Sequence, residues 1–286
     1  MELKILPSIV EKFIKKLEGE GKSKFTLIAY RKDLEQFLGY LTSKEISDIR
    51  EVNKEIIEQF IKNLIDQGYT KKSTSRKLNS IRTFFKFLKS EGIVDYNPAL
   101  DVPHPKYTPS TPRVLSKIEY MALRDYAKRD TRTYALVELL LQTGIKIGEL
   151  ANLKLEDIKE DKIIIRGYNN TPQREVPLNK IAKKVIEEYL KIRPETKDNH
   201  LFITRTGRPL LVRNIRQIVT KCLKEVGIED ATVNDLRNTF IAHQLAKGVS
   251  IEYVARIVGH KRLSSTERFL SALKTNLDKK EKLVEL

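Results

Sequence analysis

The sequence predicts a mainly α-helical protein with a small β component, divided into two domains. Apolar residues recur at helical spacing over most of the 286 residues, and a single β-branched run, "KIIIRG", precedes a turn and a second short run. Five prolines lie between residues 97 and 113, where they favour extended chain over helix. We therefore expect an N-terminal domain over residues 1–104, a proline-rich linker over 105–112 and a C-terminal domain over 113–286.

The N-terminal domain is predicted to be a helical bundle. Its first helix places Ile9, Phe13 and Leu17 on one face and ends at a glycine. The second repeats this pattern, and two more helices are indicated over residues 53–68 and 71–92. The apolar stripe of the second helix consists of Leu27, Tyr30, Leu34 and Phe37.

The fourth predicted helix is strongly basic, with no acidic residue from 71 to 90. Its apolar stripe should face the bundle and leave a cationic face outward, which favours contact with a DNA backbone over a merely solvated helix. The stripe consists of Leu78, Ile81, Phe85 and Leu88. The candidate phosphate-binding cations are Lys71, Lys72, Arg76, Lys77 and Arg82.

The C-terminal domain is predicted to mix helices with one β-hairpin. Two helices, over residues 116–129 and 131–144, precede the hairpin over 161–178. Further helices are indicated over residues 181–194, 213–227, 235–248 and 250–259, and a short amphipathic helix over 277–286.

The charge balance favours a polyanionic partner. There are 54 Lys and Arg against 38 Asp and Glu, a net charge of +16. Nucleic acid is the first candidate partner, an acidic membrane surface the second, and a solvated basic surface the alternative to both. Cys222 is the single cysteine and the four histidines are scattered, so we expect no disulfide, metal or cofactor. The first residues lack a signal peptide and no apolar run could span a membrane, so we expect a cytoplasmic, nucleoid-associated protein.

Several blocks of the sequence resemble the tyrosine recombinase (phage integrase) family, particularly its Xer-type members. "LQTGIKIGELANLKLEDI" is similar to the first catalytic box of the family, and "IIIRGYNNTPQREVPL" to its β-hairpin box. "VNDLRNTFIAHQLAKGVSIEYVARIVGH" and "LSSTERFLSA" resemble the last two boxes. In the N-terminal domain, "TLIAYRKDLEQF" is similar to the opening helix of the core-binding domain.

The resemblance implies a SAM-like helical core-binding domain followed by an α+β domain of the catalytic type. In the family these two domains form a C-shaped clamp around double-stranded DNA. The basic helix and the Arg237 region would then lie on opposite faces of the duplex. The tail "NLDKKEKLVEL" resembles the C-terminal helix that docks into a neighbouring protomer, which implies self-association on DNA.

Residue by residue, the resemblance fails at four of six catalytic positions. The second arginine is present as Arg237, and the last histidine-or-tryptophan position is His260. The positions of the first arginine, the hairpin lysine, the next histidine and the tyrosine nucleophile are occupied by Lys146, Tyr168, Asn234 and Phe269.

These substitutions remove the chemistry of the family. A tyrosine oxygen attacks the DNA phosphodiester in that reaction, and the phenyl ring of Phe269 offers no nucleophilic atom. Asn234 is no general base near neutral pH, and Lys146 lacks the bidentate fork of arginine. Tyr168 removes the usual acid for the leaving oxygen. We therefore expect a degenerate recombinase, a pseudoenzyme that does not cleave DNA by the tyrosine mechanism.

A phosphate-binding site is expected to remain. Lys146, Arg237 and His260 would converge on one backbone phosphate, and Ser265 or Thr266 would donate hydrogen bonds to it. Since the hairpin of the family enters the minor groove, Arg174 would meet the DNA backbone there.

Three interpretations remain open at this stage. The first is an inactive DNA-binding relative with an architectural or regulatory role, or an accessory role beside an active recombinase. The second is a working recombinase or integrase with a non-standard residue set, in which another hydroxyl replaces the tyrosine. The third is an active parent that was altered on purpose. A covalent protein–DNA adduct separates the enzyme from the binder.

Overall fold

The structure is a computed structural model, and it describes residues 6–108, 110–167 and 172–270. The chain divides into two compact units, Met1–Pro109 and Ser110–Leu286. Most of the described residues are helical, and one antiparallel sheet of two strands is present. The predicted fold class is therefore confirmed. The division falls inside the expected linker, while the individual bounds of the two domains stay a prediction.

The N-terminal unit is a bundle of four α-helices. Short 3-10 turns at Ile49–Glu51 and Pro98–Leu100 lie in its connections. The helices are α1 (Leu6–Gly19), α2 (Lys24–Ser43), α3 (Lys54–Asp66) and α4 (Lys71–Ser90).

Three of these helices begin at capping residues that the sequence supplies. The side chains of Ser23, Asn53 and Thr70 accept hydrogen bonds from the backbone N–H groups of Thr26, Ile56 and Ser73, respectively. Each bond satisfies one of the N–H groups that a helix start leaves without an intrahelical partner, which fixes where α2, α3 and α4 begin.

Aromatic rings fill the core of the bundle. The ring centroid of Phe13 on α1 lies 5.4 Å from that of Phe84 and 5.3 Å from that of Phe87, both on α4. Phe37 on α2 and Phe60 on α3 meet edge to face at 5.1 Å. The predicted apolar stripes of α1 and α4 are confirmed, since all their members are buried.

The C-terminal unit combines seven named helices with the small sheet. The helices are α5 (Lys117–Ala127), α6 (Thr131–Thr143), α7 (Ile147–Asn152), α8 (Lys180–Ile192), α9 (Val212–Glu225), α10 (Val233–Ala246) and α11 (Ile251–Val258). Residues 264–270 are also helical, and Leu155–Asp157 is a 3-10 turn. Strands β1 (Lys162–Ile165) and β2 (Arg174–Pro177) pair with Lys162 opposite Pro177 and Ile165 opposite Arg174.

Helix α6 is the centre of this unit. Its stretch "ALVELLL", residues 135–141, is buried throughout, as expected for a largely apolar helix, and its one charged residue, Glu138, is bound to Arg124. It packs against α5, α8, α9 and α10, and its C-terminus leads directly into α7. The ends of α6, α10 and α11 therefore come together beside α7, where most of the predicted site residues lie. No helix in the described part of the chain is long and apolar enough to cross a membrane.

Candidate nucleic-acid interface

Arg237 joins the C-terminal ends of two helices. From α10 its Nη1 donates to the carbonyl oxygen of Gly144 at 2.5 Å, and its Nη2 to that of Val258 at 2.7 Å. Gly144 ends α6 and Val258 is the last residue of α11. Carbonyl groups at a helix end lack intrahelical partners, so this guanidinium caps both helices at once. Only 6% of Arg237 is exposed, and burial lowers its pKa to about 10.

Two glycines make this arrangement possible. Gly144 and Gly259 have left-handed φ angles of 61° and 71°. A Cβ at Gly144 would lie 2.3 Å from the ring of Phe240, and one at Gly259 would lie 2.9 Å from the guanidinium of Arg174. Both helices therefore end where only glycine fits, which positions their last carbonyl groups around Arg237.

Glu149 organises the neighbouring cations. Its carboxylate accepts two hydrogen bonds from Arg174, at 2.9 and 2.7 Å, and one from the backbone N–H of Lys146 at 2.8 Å. Burial raises the pKa of Glu149, but the bonds from Arg174 and Lys146 lower it more, so it stays ionised. The Nε of Arg174 donates to the carbonyl oxygen of Ile257 at 2.6 Å.

The role expected for Arg174 is corrected by this geometry. Its side chain is 7% exposed, and all three guanidinium nitrogens are bound within the protein. Because its donors are already satisfied by Glu149 and Ile257, Arg174 holds β2 against α7 and α11 and does not project toward a DNA backbone.

Lys146 keeps a partly free ammonium group. It lies at the N-cap position of α7, 45% of its side chain is exposed, and its Nζ is 3.7 Å from the Glu149 carboxylate. Burial lowers the pKa of Lys146, and the positive charges of Arg237 and Arg174 lower it further, while Glu149 opposes them. An anion placed beside Lys146 would relieve this repulsion between cations.

A cleft of about 340 Å³ opens beside Lys146 and Arg237. Its lining comes from the start of α7, the first turns of α10 and one face of α9, and the described residues contribute no carboxylate to it. The polar lining residues are Lys146, Arg216, Thr220, Thr232, Asn234 and Arg237. Three cations without a carboxylate give the cleft a positive potential suited to a phosphate.

His260 lies beside this cleft but does not line it. Its Nδ1 is 2.7 Å from the hydroxyl oxygen of Thr266. Burial lowers the pKa of His260 to about 4, with further contributions from Arg237 and Lys146. The imidazole is therefore neutral at pH 7, and it offers a phosphate a hydrogen bond but no positive charge.

The two hydroxyls expected to bind phosphate differ in their placement. Thr266 is fully buried, and its hydroxyl oxygen already contacts His260, so its hydrogen bond to a phosphate stays a prediction that the buried position does not favour. Ser265 is partly exposed, within the helical residues 264–270.

Phe269 is part of the apolar core of the C-terminal unit. It is 3% exposed and clusters with the buried side chains of α6, α10 and α11. The ring of Phe269 therefore packs as a core side chain, and its assignment to the nucleophile position stays a prediction from the motif resemblance.

Two described hydroxyl residues close to Phe269 in the sequence, Tyr253 and Ser264, have surroundings of their own. Tyr253 lines a different depression, with Val249, Val254 and Ile257, and its ring lies 5.0 Å from the guanidinium of Arg256. Ser264 is exposed at the start of the last described helix. Tyr168 lies outside the described residues.

The structure brings together only part of the predicted constellation. Lys146, Asn234 and Arg237 share the cleft, and His260 and Phe269 lie nearby in the same unit. Arg216, Thr220 and Thr232 were missed by the sequence interpretation. A usable signal was present, because Arg216 and Thr220 are polar and four residues apart beside the apolar stripe of α9.

The basic helix α4 is less open than predicted. Asp33 on α2 is 1% exposed, and its carboxylate binds both Arg76 and Lys77. Lys77 is itself buried, its Nζ 2.9 Å from Asp33, because the core-facing side of α4 is wider than the apolar stripe alone. Its assignment to an outward phosphate-binding face is therefore wrong, and Arg76 reaches solvent while bound to Asp33.

Arg82 anchors the chain that follows the bundle. Its guanidinium donates to the carbonyl oxygens of Ala99 and Val102, at 2.9 and 2.6 Å. Its Nη1 is also 2.7 Å from the Nε2 of His104, whose Nδ1 is 2.9 Å from the Ser75 hydroxyl. These bonds occupy Arg82 inside the unit, so the predicted phosphate contact is not supported. Lys71 and Lys72 are exposed and have no ion-pair partner among the described residues.

Comparison with known proteins places this geometry in a family. The description "Phage integrase family" matches residues 113–276, and "Phage integrase, N-terminal SAM-like domain" matches residues 10–92. Among the described residues, no group of three or more His, Cys, Asp or Glu side chains could hold a metal ion.

Individual relatives cover nearly the whole chain. Tyrosine recombinase XerC of Thermodesulfovibrio yellowstonii is 32% identical over 263 residues, which is 87% of this chain and 86% of the relative. Tyrosine recombinase XerD of Listeria innocua is 29% identical over 271 residues, 90% and 91% of the two chains. The fold matches a crystal structure of a lambda integrase dimer bound to a COC' core site, with a TM-score of 0.77, 18% identity and coverage of 91% and 96%. The chain belongs to the phage integrase family and is related to the Xer tyrosine recombinases.

Proposed function

We propose that this protein binds double-stranded DNA and does not cleave it by the tyrosine mechanism. One observation carries the proposal: the cationic cleft of Lys146 and Arg237 is present, while Phe269, which the motif resemblance aligns with the nucleophile, is packed in the core. The cleft can bind a phosphodiester, but Phe269 cannot form a bond to phosphorus.

The DNA partner is supported at several levels. The net charge is +16, and the related lambda integrase was crystallised as a dimer bound to a core site. In the cleft, Lys146 contributes a half-exposed ammonium group and Arg237 a buried guanidinium. Lys71 and Lys72 add exposed cations at the start of α4. Phosphate contacts of this kind position a protein on DNA without reading its sequence.

The loss of cleavage rests on more than one residue. Asn234 lines the cleft where the family has a histidine, and its amide is not a general base near neutral pH. Lys146 supplies a point charge in place of a bidentate fork. Effects of residues that act as a unit are not additive, so these losses cannot be multiplied, but the loss of the nucleophile would be sufficient on its own.

The biological role that follows is architectural, regulatory or accessory to an active recombinase on the nucleoid. In this proposal the domain over residues 1–104 and the domain over 113–286 hold the duplex, with 105–112 as the linker. Self-association on DNA would use the C-terminal segment, which lies outside the described residues. The dimer in the related integrase structure supports assembly of this kind.

A salt titration tests the binding half of the proposal. The association constant for a labelled duplex of mixed sequence would be measured by fluorescence anisotropy over a series of KCl concentrations. We expect the affinity to fall steeply as the salt concentration rises. In a plot of the logarithm of the association constant against the logarithm of the KCl concentration, Lys146→Ala should make the slope shallower by about 0.9, the value for one lost phosphate contact. Lys146→Arg should keep the slope.

Lys191→Ala is the matched control, because Lys191 is an exposed cation at the C-terminal end of α8 and does not line the cleft. Binding that is insensitive to salt, or an equal loss in the Lys146 and Lys191 variants, would contradict a phosphate site at the cleft.

A further inference from the structure

The wall of the cleft that α9 provides has a polar pair one helical turn apart. Arg216 and Thr220 both line the cleft, while the neighbouring Ile215 and Val219 are fully buried in the core. Residues four apart lie on the same face of a helix, so Arg216 and Thr220 face the cleft together. Asn234 lines the cleft from the first turn of α10.

The side chains of several arginines of the C-terminal unit, including Arg208, Arg213 and Arg216, have no hydrogen bond or ion pair among the described residues, and of these three Arg216 lines the cleft. Arg113, Arg124, Arg166 and Arg174 are bound to carboxylates, and Arg193 donates to backbone carbonyl groups. Arg216 is exposed, and no hydrogen bond or ion pair to it is found among the described residues. A guanidinium with all its donors free, beside a cleft without carboxylates, is suited to bidentate binding of a phosphate.

The two free cations of the cleft stand on separate elements. The Nη1 and Nη2 groups of Arg237 are bound to Gly144 and Val258, so the free charge beside Arg237 is mainly that of Lys146. Arg216 is anchored on α9, a different helix from the one that Lys146 precedes. Separate anchoring of this kind suits contacts to two neighbouring phosphates of one strand.

We infer that Arg216, Thr220 and Asn234 form a second phosphate-binding subsite, which takes the phosphodiester next to the one held by Lys146 and Arg237. This inference rests on the proposed function, because it assigns a second contact to the same DNA strand. Arg216 supplies the charge, and Thr220 and Asn234 supply neutral hydrogen-bond donors. The subsite contacts the DNA backbone and not the bases, so it increases the affinity for a duplex of any sequence.

The test uses two variants on one helix. Arg216→Ala and Arg213→Ala remove the same charge from α9, but Arg213 does not line the cleft. The anisotropy assay would be run with the same mixed-sequence duplex and KCl series. We expect Arg216→Ala to weaken binding about 10-fold at constant salt, as for a lost charged hydrogen bond, and to reduce the salt slope by about 0.9. Arg213→Ala should stay within about 2-fold of the unsubstituted protein, as for a surface change away from the site.

The double variant Lys146→Ala with Arg216→Ala decides whether there are two phosphates or one. Two separate contacts predict a combined loss of slope of about 1.8, twice the single value. If the two residues share one phosphate, the double variant loses no more than about 0.9 in total, and the second subsite is overturned.

Failure of the inference can be told apart from failure of the proposed function. Salt-sensitive binding by the unsubstituted protein, with Arg216→Ala indistinguishable from Arg213→Ala, would overturn the subsite alone. Salt-insensitive binding by the unsubstituted protein would overturn both. Circular dichroism of each variant checks that the fold is retained, and Arg216→Lys should recover part of the affinity because it restores the charge.

Discussion

The position of Arg237 shows how one residue serves both folding and binding. Its Nη1 and Nη2 satisfy carbonyl groups at the ends of α6 and α11, which makes it part of the architecture of the unit. Its positive charge still lowers the pKa values of Lys146 and His260. The site is therefore organised around a fixed cation, and its retention is expected even if no cleavage takes place.

His260 supplies a pH dependence with a defined sign. Its pKa is about 4 in the folded protein, mainly through burial, against an ordinary value of about 6.5 in an unfolded chain. Between these values the unfolded state binds more protons, so the free energy of unfolding falls as pH falls from about 6.5 to 4. Because the ring is only partly buried, we expect this contribution to be about 1–2 kcal/mol.

Replacement of His260 tests this prediction. His260→Asn should flatten the decline in unfolding free energy between about pH 6.5 and 4, measured by urea unfolding at several pH values. His243→Asn is the control, since His243 is exposed on α10. An identical pH profile in the His260 variant and the unsubstituted protein would show that the group does not stay neutral in the fold.

At the scale of elements, the N-terminal bundle depends on a buried ion cluster between α2 and α4. Asp33 binds Arg76 and Lys77, and it also accepts a hydrogen bond from the Ser80 hydroxyl at 2.8 Å. Lys77 is buried with its ammonium on Asp33, so loss of that carboxylate would leave a buried charge uncompensated.

Asp33→Asn is therefore expected to reduce the unfolding free energy of the bundle by about 3–5 kcal/mol. Urea unfolding followed by circular dichroism measures the effect, with Asp66→Asn on exposed α3 surface as the control. Addition of Lys77→Met to Asp33→Asn should recover part of the loss because it removes the unpaired charge. A loss no larger than that of the Asp66 variant would contradict the buried cluster.

The elements of this protein were predictable from sequence where the signal is local. The apolar stripes of α1 and α4, the hairpin strands and the helix around Arg237 all follow from short-range periodicity and motif spacing. The tertiary contacts of the charged residues were not predictable, because their partners are distant in the sequence. Lys77 meets Asp33 across 44 residues, and Arg82 meets carbonyl groups 17 and 20 residues away.

The cleft illustrates the same limit for the site. Lys146, Asn234 and Arg237 could be placed by motif resemblance, whereas Arg216 belongs to the cleft only because α9 packs against α7 and α10. The burial of Thr266 and Arg174 could not be predicted from sequence either. A motif shows that a hydroxyl or guanidinium is present, but it does not show which neighbouring group already binds it. The motif resemblance was enough to locate the site, whereas the packing of the helices determines which of its side chains have free hydrogen-bond donors.

For the whole molecule, binding and chemistry depend on different features. The net charge of +16 and the cationic cleft suit a duplex of any sequence, while the proposed loss of strand cleavage depends on the missing oxygen at Phe269. Relatives that are about 30% identical are named tyrosine recombinases, and the proposal that this chain does not cleave DNA rests on the motif resemblance that assigns the nucleophile position to Phe269. The central claim is therefore about covalent bond formation.

The most direct test is a search for a covalent protein–DNA adduct. The unsubstituted protein would be incubated with a pool of nicked duplexes of randomised sequence, denatured, and analysed by intact-protein mass spectrometry, with the Thermodesulfovibrio yellowstonii XerC relative as positive control. The account predicts DNA bound under native conditions and no mass increase after denaturation. A protein mass increased by a DNA fragment, mapped to any hydroxyl side chain of this chain, would contradict it.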